Sequence, residues 1–262
     1  MGVARREARW LVEEFASSDD SDGSTRAITA ARRRLNGEPL QYILGHWPFR
    51  ELDLDVDARV LIPRPETEEL VTFALEELAR RNVTAPIIVD LGCGSGAIGL
   101  ALHCELRDRG VMSALVALDS SLDALDVTRI NAIKHGVSAV SFVHSNWFDA
   151  LDPSLRGRID LIVSNPPYVA ANEFETLDPV LRHEPYGALV SKDVAAGGGL
   201  ADVAHIVEHA LGWLSPRGVL IVEHGFAQGP PTRTLAREGG FAHVRTECDL
   251  GGHDRFLIAS SS

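Results

Sequence analysis

Asn165-Pro166-Pro167-Tyr168 closes an apolar run, Ile159-Asp160-Leu161-Ile162-Val163, that has the composition of a buried parallel strand. The two prolines fix φ at successive positions and remove two backbone donors. The proline that follows pushes Asn165 towards an extended conformation. What remains is a stiff loop that presents carbonyls, one carboxamide and one aromatic ring. That set suits a planar N–H₂ group, with acceptors for both hydrogens and a flat face to stack on. Two prolines alone would mark only a rigid turn. The asparagine before them, the tyrosine after them and the strand upstream point to a site.

A second stretch carries different chemistry. Asp90-Leu91-Gly92-Cys93-Gly94-Ser95-Gly96 lies between the apolar run Ile87-Ile88-Val89 and a helical pattern from Ala97 to Arg107. Glycines let the backbone approach a ligand closely, and the start of the helix offers free N–H groups. The spacing is not that of a dinucleotide fingerprint, and no Lys-Ser/Thr pair follows to make a phosphate loop. After the next apolar run comes Asp119, at the distance where an acid can accept two ribose hydroxyls. A glycine loop without phosphate chemistry plus a ribose-binding acid fits S-adenosylmethionine. By itself the loop could be a tight strand–helix turn. Together with Asp119 and the Asn-Pro-Pro-Tyr loop on one sheet edge, it reads as a cofactor site.

The elements that must position these residues alternate along the chain. From Pro86 the pattern predicts strands at 87–89, 114–118, 140–143, 159–163 and 219–222, with helices at 97–107, 122–135, 200–214 and 232–238. Two final strands, near 244–246 and 255–259, are joined by too few residues for a helical crossover, so they should be antiparallel. The expected fold is α/β and Rossmann-like: the seven strands form a mostly parallel sheet with helices on both faces and an antiparallel edge. Upstream, helices are expected over 3–16 and 25–35, separated by the polar stretch 17–24. A β-hairpin is expected over 41–57, with Tyr42-Ile43-Leu44 as its first strand and its turn near Gly45-His46. Val60-Leu61-Ile62 should be a further strand, and 66–81 an amphipathic helix. The expected division is a helical unit at 1–36, a hairpin linker at 37–62 and the α/β sheet domain at 63–262.

The chain has 262 residues and a formal net charge of −12, with 25 Lys+Arg against 37 Asp+Glu. A nucleic-acid footprint needs a basic patch. The dense basic cluster is Arg32-Arg33-Arg34, with Arg5, Arg6 and Arg9 upstream, which reads as a solvated helix face. Cys93, Cys104 and Cys248 are too scattered for a disulfide framework or a zinc site and suit a reducing cytoplasm. No signal-peptide core opens the chain. The apolar stretch 85–104 is broken by Asp90 and glycines and reads as buried core, not a membrane span.

Several stretches resemble the HemK/PrmC family, the N5-glutamine methyltransferases of peptide chain release factors. They are Gly37-Glu38-Pro39-Leu40-Gln41-Tyr42-Ile43-Leu44-Gly45, Leu61-Ile62-Pro63-Arg64-Pro65-Glu66-Thr67-Glu68, Asp90 to Gly96, Ser145-Asn146-Trp147-Phe148, Asn165 to Tyr168, and His183-Glu184-Pro185. The stretch from Leu61 to Glu68 separates this family from other methyltransferases. The resemblance implies that Gly92, Cys93, Gly94, Ser95, Gly96 and Asp119 hold the methionine and ribose parts of the cofactor. It puts Trp147 against the adenine, with Asp90 and Asn165 completing the cofactor-binding set. Asn165, Pro166, Pro167 and Tyr168 would hold the glutamine side chain, with Asn165, Pro166 and Tyr168 as catalytic residues. The resemblance also implies a Rossmann-like class I S-adenosylmethionine-dependent methyltransferase fold, with 63–262 as the methyltransferase domain, and the Gly-Gly-Gln motif of release factors as substrate; a monomer is expected. Two departures stand out: Asn146 occupies a position where the family has Asp, and the stretch before Gly37 is shorter than the family's helical N-terminal domain.

The residue types suggest a mechanism. A carboxamide nitrogen is a poor nucleophile because its lone pair is delocalised. The Asn165 side-chain oxygen and the Pro166 carbonyl can accept its two hydrogens, localising density on nitrogen, while Tyr168 helps position the flat amide. Positioning and fixed acceptors then carry the rate. Other readings remain open: N5-glutamine methylation of another protein such as a ribosomal protein, adenine-N6 methylation of nucleic acid, or a non-catalytic cofactor-binding protein. His205-Ile206-Val207-Glu208-His209 matches a zinc-hydrolase pattern, but its helix should pack away from the cleft, and no metal is expected. Arg64 would either orient the substrate loop or play a structural part.

Overall fold

Side chains alternate in direction along each strand, and this divides the apolar residues between two layers. Leu161 and Val163 face one core with Ile88, Leu115, Val219 and Ile221. Ile162 faces the other with Val89, Val116, Leu220 and Val222. Strands buried on both faces must be apolar throughout, which is why these runs show little polar alternation. The structure, a computed structural model, describes residues 2–16, 22–192 and 198–261.

The sheet contains β3 (Ile87–Leu91), β4 (Ala114–Asp119), β5 (Val140–His144), β6 (Ile159–Ser164), β7 (Leu214–Glu223), β8 (His243–Cys248) and β9 (Asp254–Ser260) in the order β5-β4-β3-β6-β7-β9-β8. Strands β5 to β7 of that order are parallel, and β9 is antiparallel to both β7 and β8. The antiparallel pair expected at the end of the chain is therefore present, with the reversed strand one place in from the edge. Helices α4 (Thr67–Arg80) and α5 (Ala97–Asp108) cover one face, while α8 (Ala201–Ala210) and α9 (Gly229–Glu238) cover the other. The chain runs outwards through β3, β4 and β5, then returns to start again at β6. A crevice forms beyond the carboxyl ends of β3 and β6, where the strand order reverses.

Helices α1 (Gly2–Ala16) and α2 (Gly23–Leu35) meet α3 (Leu40–Leu44) in a small separate core of Leu11, Ala30, Leu40 and Ile43. Residues 17–21 of the expected polar linker lie outside the described residues, and Gly23 already begins α2. The expected hairpin needs correction. Tyr42-Ile43-Leu44 is helical, because Leu40 and Ile43 sit on the face that packs against α1 and α2 while the Tyr42 hydroxyl donates to the Val60 carbonyl at 2.6 Å. The hairpin pairs β1 (His46–Phe49) with β2 (Leu52–Asp55) and turns at Arg50, whose φ is +53°. Val60-Leu61-Ile62 forms no strand; the Ile62 N–H is bonded by the Glu184 side chain instead of a ladder. Residues 214–218, read as the end of a helix and its stop, begin β7 across a register shift.

Candidate functional site

A cleft of about 380 Å³ opens in this crevice. It is lined by the loop 92–95, by Asp119, Trp147 and Asn165, and by Pro63, Arg64 and Thr67 from the chain leading into α4.

The glycine loop is held from below and from the side. Gly92 and Cys93 donate to the Leu118 carbonyl, both at 2.9 Å, and Gly94 N–H donates to Asp119 Oδ2 at 3.0 Å. From α6 (Leu122–Lys134), Thr128 Oγ1 donates to the Gly94 carbonyl at 2.8 Å and Asn131 Nδ2 to the Ser95 carbonyl at 2.9 Å. Asn131 also exchanges bonds with both backbone groups of Asp55, tying the β1–β2 hairpin to the loop. Gly96 has a φ of +83°, and a Cβ there would lie 2.8 Å from both Leu100 and Thr128. Only glycine closes the loop against these neighbours.

Asp119 ends β4 beside the loop. Its Oδ1 accepts from Ser121 N–H at 2.9 Å while Oδ2 takes Gly94, so each oxygen keeps a further acceptor direction. Burial pushes its carboxyl up from the ordinary aspartate value. Asp90 is placed differently from the other expected cofactor residues. It is buried behind the loop and outside the cleft lining, accepting from Gly99 N–H at 2.9 Å. Its Oδ1 is buried with no hydrogen-bond partner, and burial pushes its carboxyl up to about 7.

Trp147 occupies left-handed backbone space at φ +48°, an uncommon conformation for an aromatic residue. Its carbonyl accepts from Ser145 Oγ at 2.8 Å and its indole N–H donates to Asp202 Oδ1 at 3.2 Å. The indole packs beside Gly92, 3.5 Å from where a Cβ would stand. Asn146 beside it is engaged by Asp149 at 3.2 Å and by Lys192 Nζ at 2.9 Å.

In the Asn-Pro-Pro-Tyr loop, Asn165 and Pro167 line the cleft. Pro166 between them is buried. Tyr168 does not line the cleft: its hydroxyl turns to Glu223 Oε1 at 3.5 Å, and burial raises its pKa. The ring expected as a flat face for the substrate amide is not among the residues that line the cleft. Asn165 Nδ2 donates to Thr67 Oγ1 at 3.3 Å, and Thr67 Oγ1 donates to Glu223 Oε2 at 2.6 Å. Burial pushes the Glu223 carboxyl up to about 7.

The stretch from Leu61 to Glu68 acquires a structural meaning here. Glu184 accepts from Ile62 N–H at 3.0 Å and pairs with Arg64 at 2.6 Å, pinning that stretch to the segment after the loop. Arg64 lines the cleft while making this tie. Thr67, Glu184, Asp202 and Glu223 had no role in the sequence-based reading. The available signals were an acid at the end of an apolar strand for Glu223 and motif membership for Thr67 and Glu184. His205 and His209 lie on the outer side of α8 with stacked rings 4.3 Å apart, and His209 Nδ1 faces the His205 carbonyl at 2.9 Å. Neither lines the cleft, and no group of three or more His, Cys, Asp or Glu that could hold a metal occurs among the described residues.

The groups present fit a nucleoside joined to a cationic centre. Asp119 offers acceptors for a ribose diol, the indole offers a wall for a base, and the glycine loop carries no lysine. The buried Asp90 carboxyl, with one oxygen unpartnered, lies behind the loop.

The family model for the methyltransferase small domain matches residues 70–182. The release factor glutamine methyltransferase of Vibrio cholerae is 42% identical over 231 residues, covering 88% of this chain and 76% of the relative. That of Yersinia pestis is 43% identical over 230 residues, covering 88% and 78%. Among solved structures, the N-terminal domain of human METTL16 in complex with SAH superposes with a TM-score of 0.60 at 15% identity, covering 98% of this chain and 94% of that one. At that identity the likeness is one of fold.

Proposed function

The chain belongs to the family of release factor glutamine methyltransferases, and from that premise we propose that it transfers a methyl group from S-adenosylmethionine to the side-chain amide nitrogen, N5, of the glutamine in the Gly-Gly-Gln motif of peptide chain release factors. The observation that carries this reading is the Asn165 carboxamide, which lines the cleft at the end of β6 with its nitrogen engaged by Thr67. Its oxygen is then the end left for a planar N–H₂.

Bound S-adenosylmethionine supplies an electrophilic methyl on a cationic sulfur. Asp119 accepts the ribose hydroxyls, Trp147 covers the adenine, and the backbone of loop 92–96 lies against the methionine part. Asn165 Oδ1 and the Pro166 carbonyl accept the two hydrogens of the substrate amide. This would draw density onto nitrogen and hold it facing the bound cofactor. The nitrogen would take the methyl as its bond to sulfur breaks with the pair left on sulfur, and would release one proton to solvent. Alignment and fixed acceptors are the main sources of rate in such a site. All these residues come from one chain, so the reading requires only a monomer.

The test is methylation of a release factor carrying its Gly-Gly-Gln loop, with mass spectrometry locating the added methyl. Asn165→Ala is expected to cut the single-turnover rate by roughly 10²–10³-fold, the loss typical of one preorganised polar contact. Cofactor affinity should change little. Full activity in Asn165→Ala, or a methyl located elsewhere than on glutamine, refutes the proposal.

A further inference from the structure

We propose that Glu223 is a positioning residue for methyl transfer: acting through the Thr67 hydroxyl, it dictates which end of the Asn165 carboxamide faces the substrate. This rests on the function proposed above.

Glu223 is the last residue of β7 and is 1% exposed, and Thr67, at the start of α4, is 2% exposed. Burying a carboxyl group is costly unless it is paired. The other buried glutamates are compensated by arginine: Glu184 by Arg64, and Glu77 by Arg80, Arg81 and Arg245. No ion pair reaches Glu223 among the described residues; its bonds go to two hydroxyls, Thr67 at 2.6 Å and Tyr168 at 3.5 Å. Both belong to the machinery around Asn165.

With Glu223 ionised, counting hydrogens fixes the direction of the chain of bonds. An ionised carboxylate only accepts, and a threonine hydroxyl has a single hydrogen. Glu223 Oε2 takes that hydrogen, so Thr67 Oγ1 is left as an acceptor. It can be met only by an N–H, which must be Asn165 Nδ2 at 3.3 Å. Oxygen and nitrogen of a carboxamide are told apart by their partners, and here the partner assigns nitrogen to the Thr67 side. Oδ1 is thereby turned to the opposite end of the amide, the end that receives a hydrogen from the substrate.

A proton on Glu223 Oε2 reverses this order. The carboxyl then donates to Thr67, the Thr67 hydrogen is released towards Asn165, and the amide flips to present its N–H₂ to the substrate N–H₂. The charged and titratable groups facing Glu223 act in both directions. Arg255 on β9, itself held by Asp249, favours the ionised form, as do the Thr67 and Tyr168 hydroxyls; Glu66 and burial oppose it.

The experiment compares wild type, Glu223→Gln, Thr67→Val and Thr67→Ser. It follows single-turnover methylation of a release factor between about pH 5.5 and 9, with cofactor affinity measured by calorimetry. A glutamine offers one acceptor where two hydroxyls need one each, and valine removes the relay. Both variants should bind cofactor as wild type does but transfer the methyl about 10- to 100-fold more slowly, the cost of misdirecting one preorganised acceptor. Thr67→Ser should keep the wild-type rate. The wild-type rate should fall as pH drops through about 7, and Glu223→Gln should lose that dependence. A wild-type rate in folded, cofactor-binding Glu223→Gln or Thr67→Val overturns the inference. If Glu223→Gln fails to bind cofactor, the valine–serine pair decides. A wild-type chain that binds cofactor yet methylates no glutamine overturns the function itself, a result distinct from normal methylation by Thr67→Val.

Discussion

Replacing Asp119 by alanine should weaken binding of S-adenosylmethionine by about 100-fold, and the structure says why the effect should exceed that of one lost contact. Each carboxylate oxygen already accepts one backbone N–H, from Gly94 at 3.0 Å and from Ser121 at 2.9 Å. A carboxylate has about four acceptor sites, so about two remain for a ribose diol. Hydrogen bonds to a charged group contribute about 1.5–3 kcal/mol each, and water entering the vacated space recovers part of that. A net loss near 3 kcal/mol corresponds to about 100-fold in affinity. The alanine also leaves Gly94 N–H without its acceptor, so some of the loss comes from a loosened glycine loop. A double-mutant cycle separates the two contributions, pairing Asp119→Ala with a cofactor analogue lacking a ribose hydroxyl. Wild type should lose affinity for the deoxy analogue, while the variant should not distinguish it from the parent. Asp119→Asn should rescue little, because its single oxygen can serve only one backbone N–H and its N–H₂ would face the other. Calorimetry showing unchanged affinity in Asp119→Ala, or an undiminished penalty for the deoxy analogue, refutes the assignment of Asp119 to the ribose.

Two further outcomes follow from the same geometry. Glu223 has a folded-state carboxyl raised by burial from the ordinary 4.5 to about 7, which amounts to about 3 kcal/mol. The folded state therefore holds a proton that the unfolded chain releases. This stabilisation is full below about pH 4.5 and is lost as pH rises through about 7. Glu223→Gln should accordingly gain thermal stability relative to wild type between those limits, and an offset independent of pH would contradict the raised carboxyl. The His205–His209 pair lies outside the cleft lining, with His209 bonded to backbone; chelator should leave methyl transfer unchanged, and loss of activity restored by zinc would show that α8 holds a working metal.

Much of the architecture was legible in residue order. Apolar runs at 87–89, 114–118, 140–143 and 159–163 are strands in the structure, and the helical stretches between them are helices. Burial on both faces forces such a composition, so the periodicity reports the fold directly. The glycine loop and the Asn-Pro-Pro-Tyr loop were legible for a related reason. Backbone stiffness and close approach demand particular residue types, and both loops fall where a parallel sheet leaves its crevice.

Where sequence and structure parted, a distant partner decided the local conformation. Tyr42-Ile43-Leu44 is apolar enough for a strand, yet it forms a helical turn because α1 and α2 take Leu40 and Ile43 and the Val60 carbonyl takes the tyrosine hydroxyl. Ile62 belongs to no ladder because a carboxylate 122 positions away bonds its N–H. The Tyr168 hydroxyl is held by Glu223, 55 positions away.

The amino-acid order by itself determined the layers, the family resemblance and the positions of Gly92 to Gly96, Asp119 and Asn165, because each follows from propensity, periodicity or a short motif. Only the tertiary structure decided how the Asn165 amide is oriented. Thr67 and Glu223 lie 156 positions apart, and no periodicity connects them. They meet because β7 pairs beside β6 and the chain entering α4 crosses the same crevice. The direction of a hydrogen-bond chain depends on which single hydrogen lies between which two oxygens, and that is a property of three segments held together.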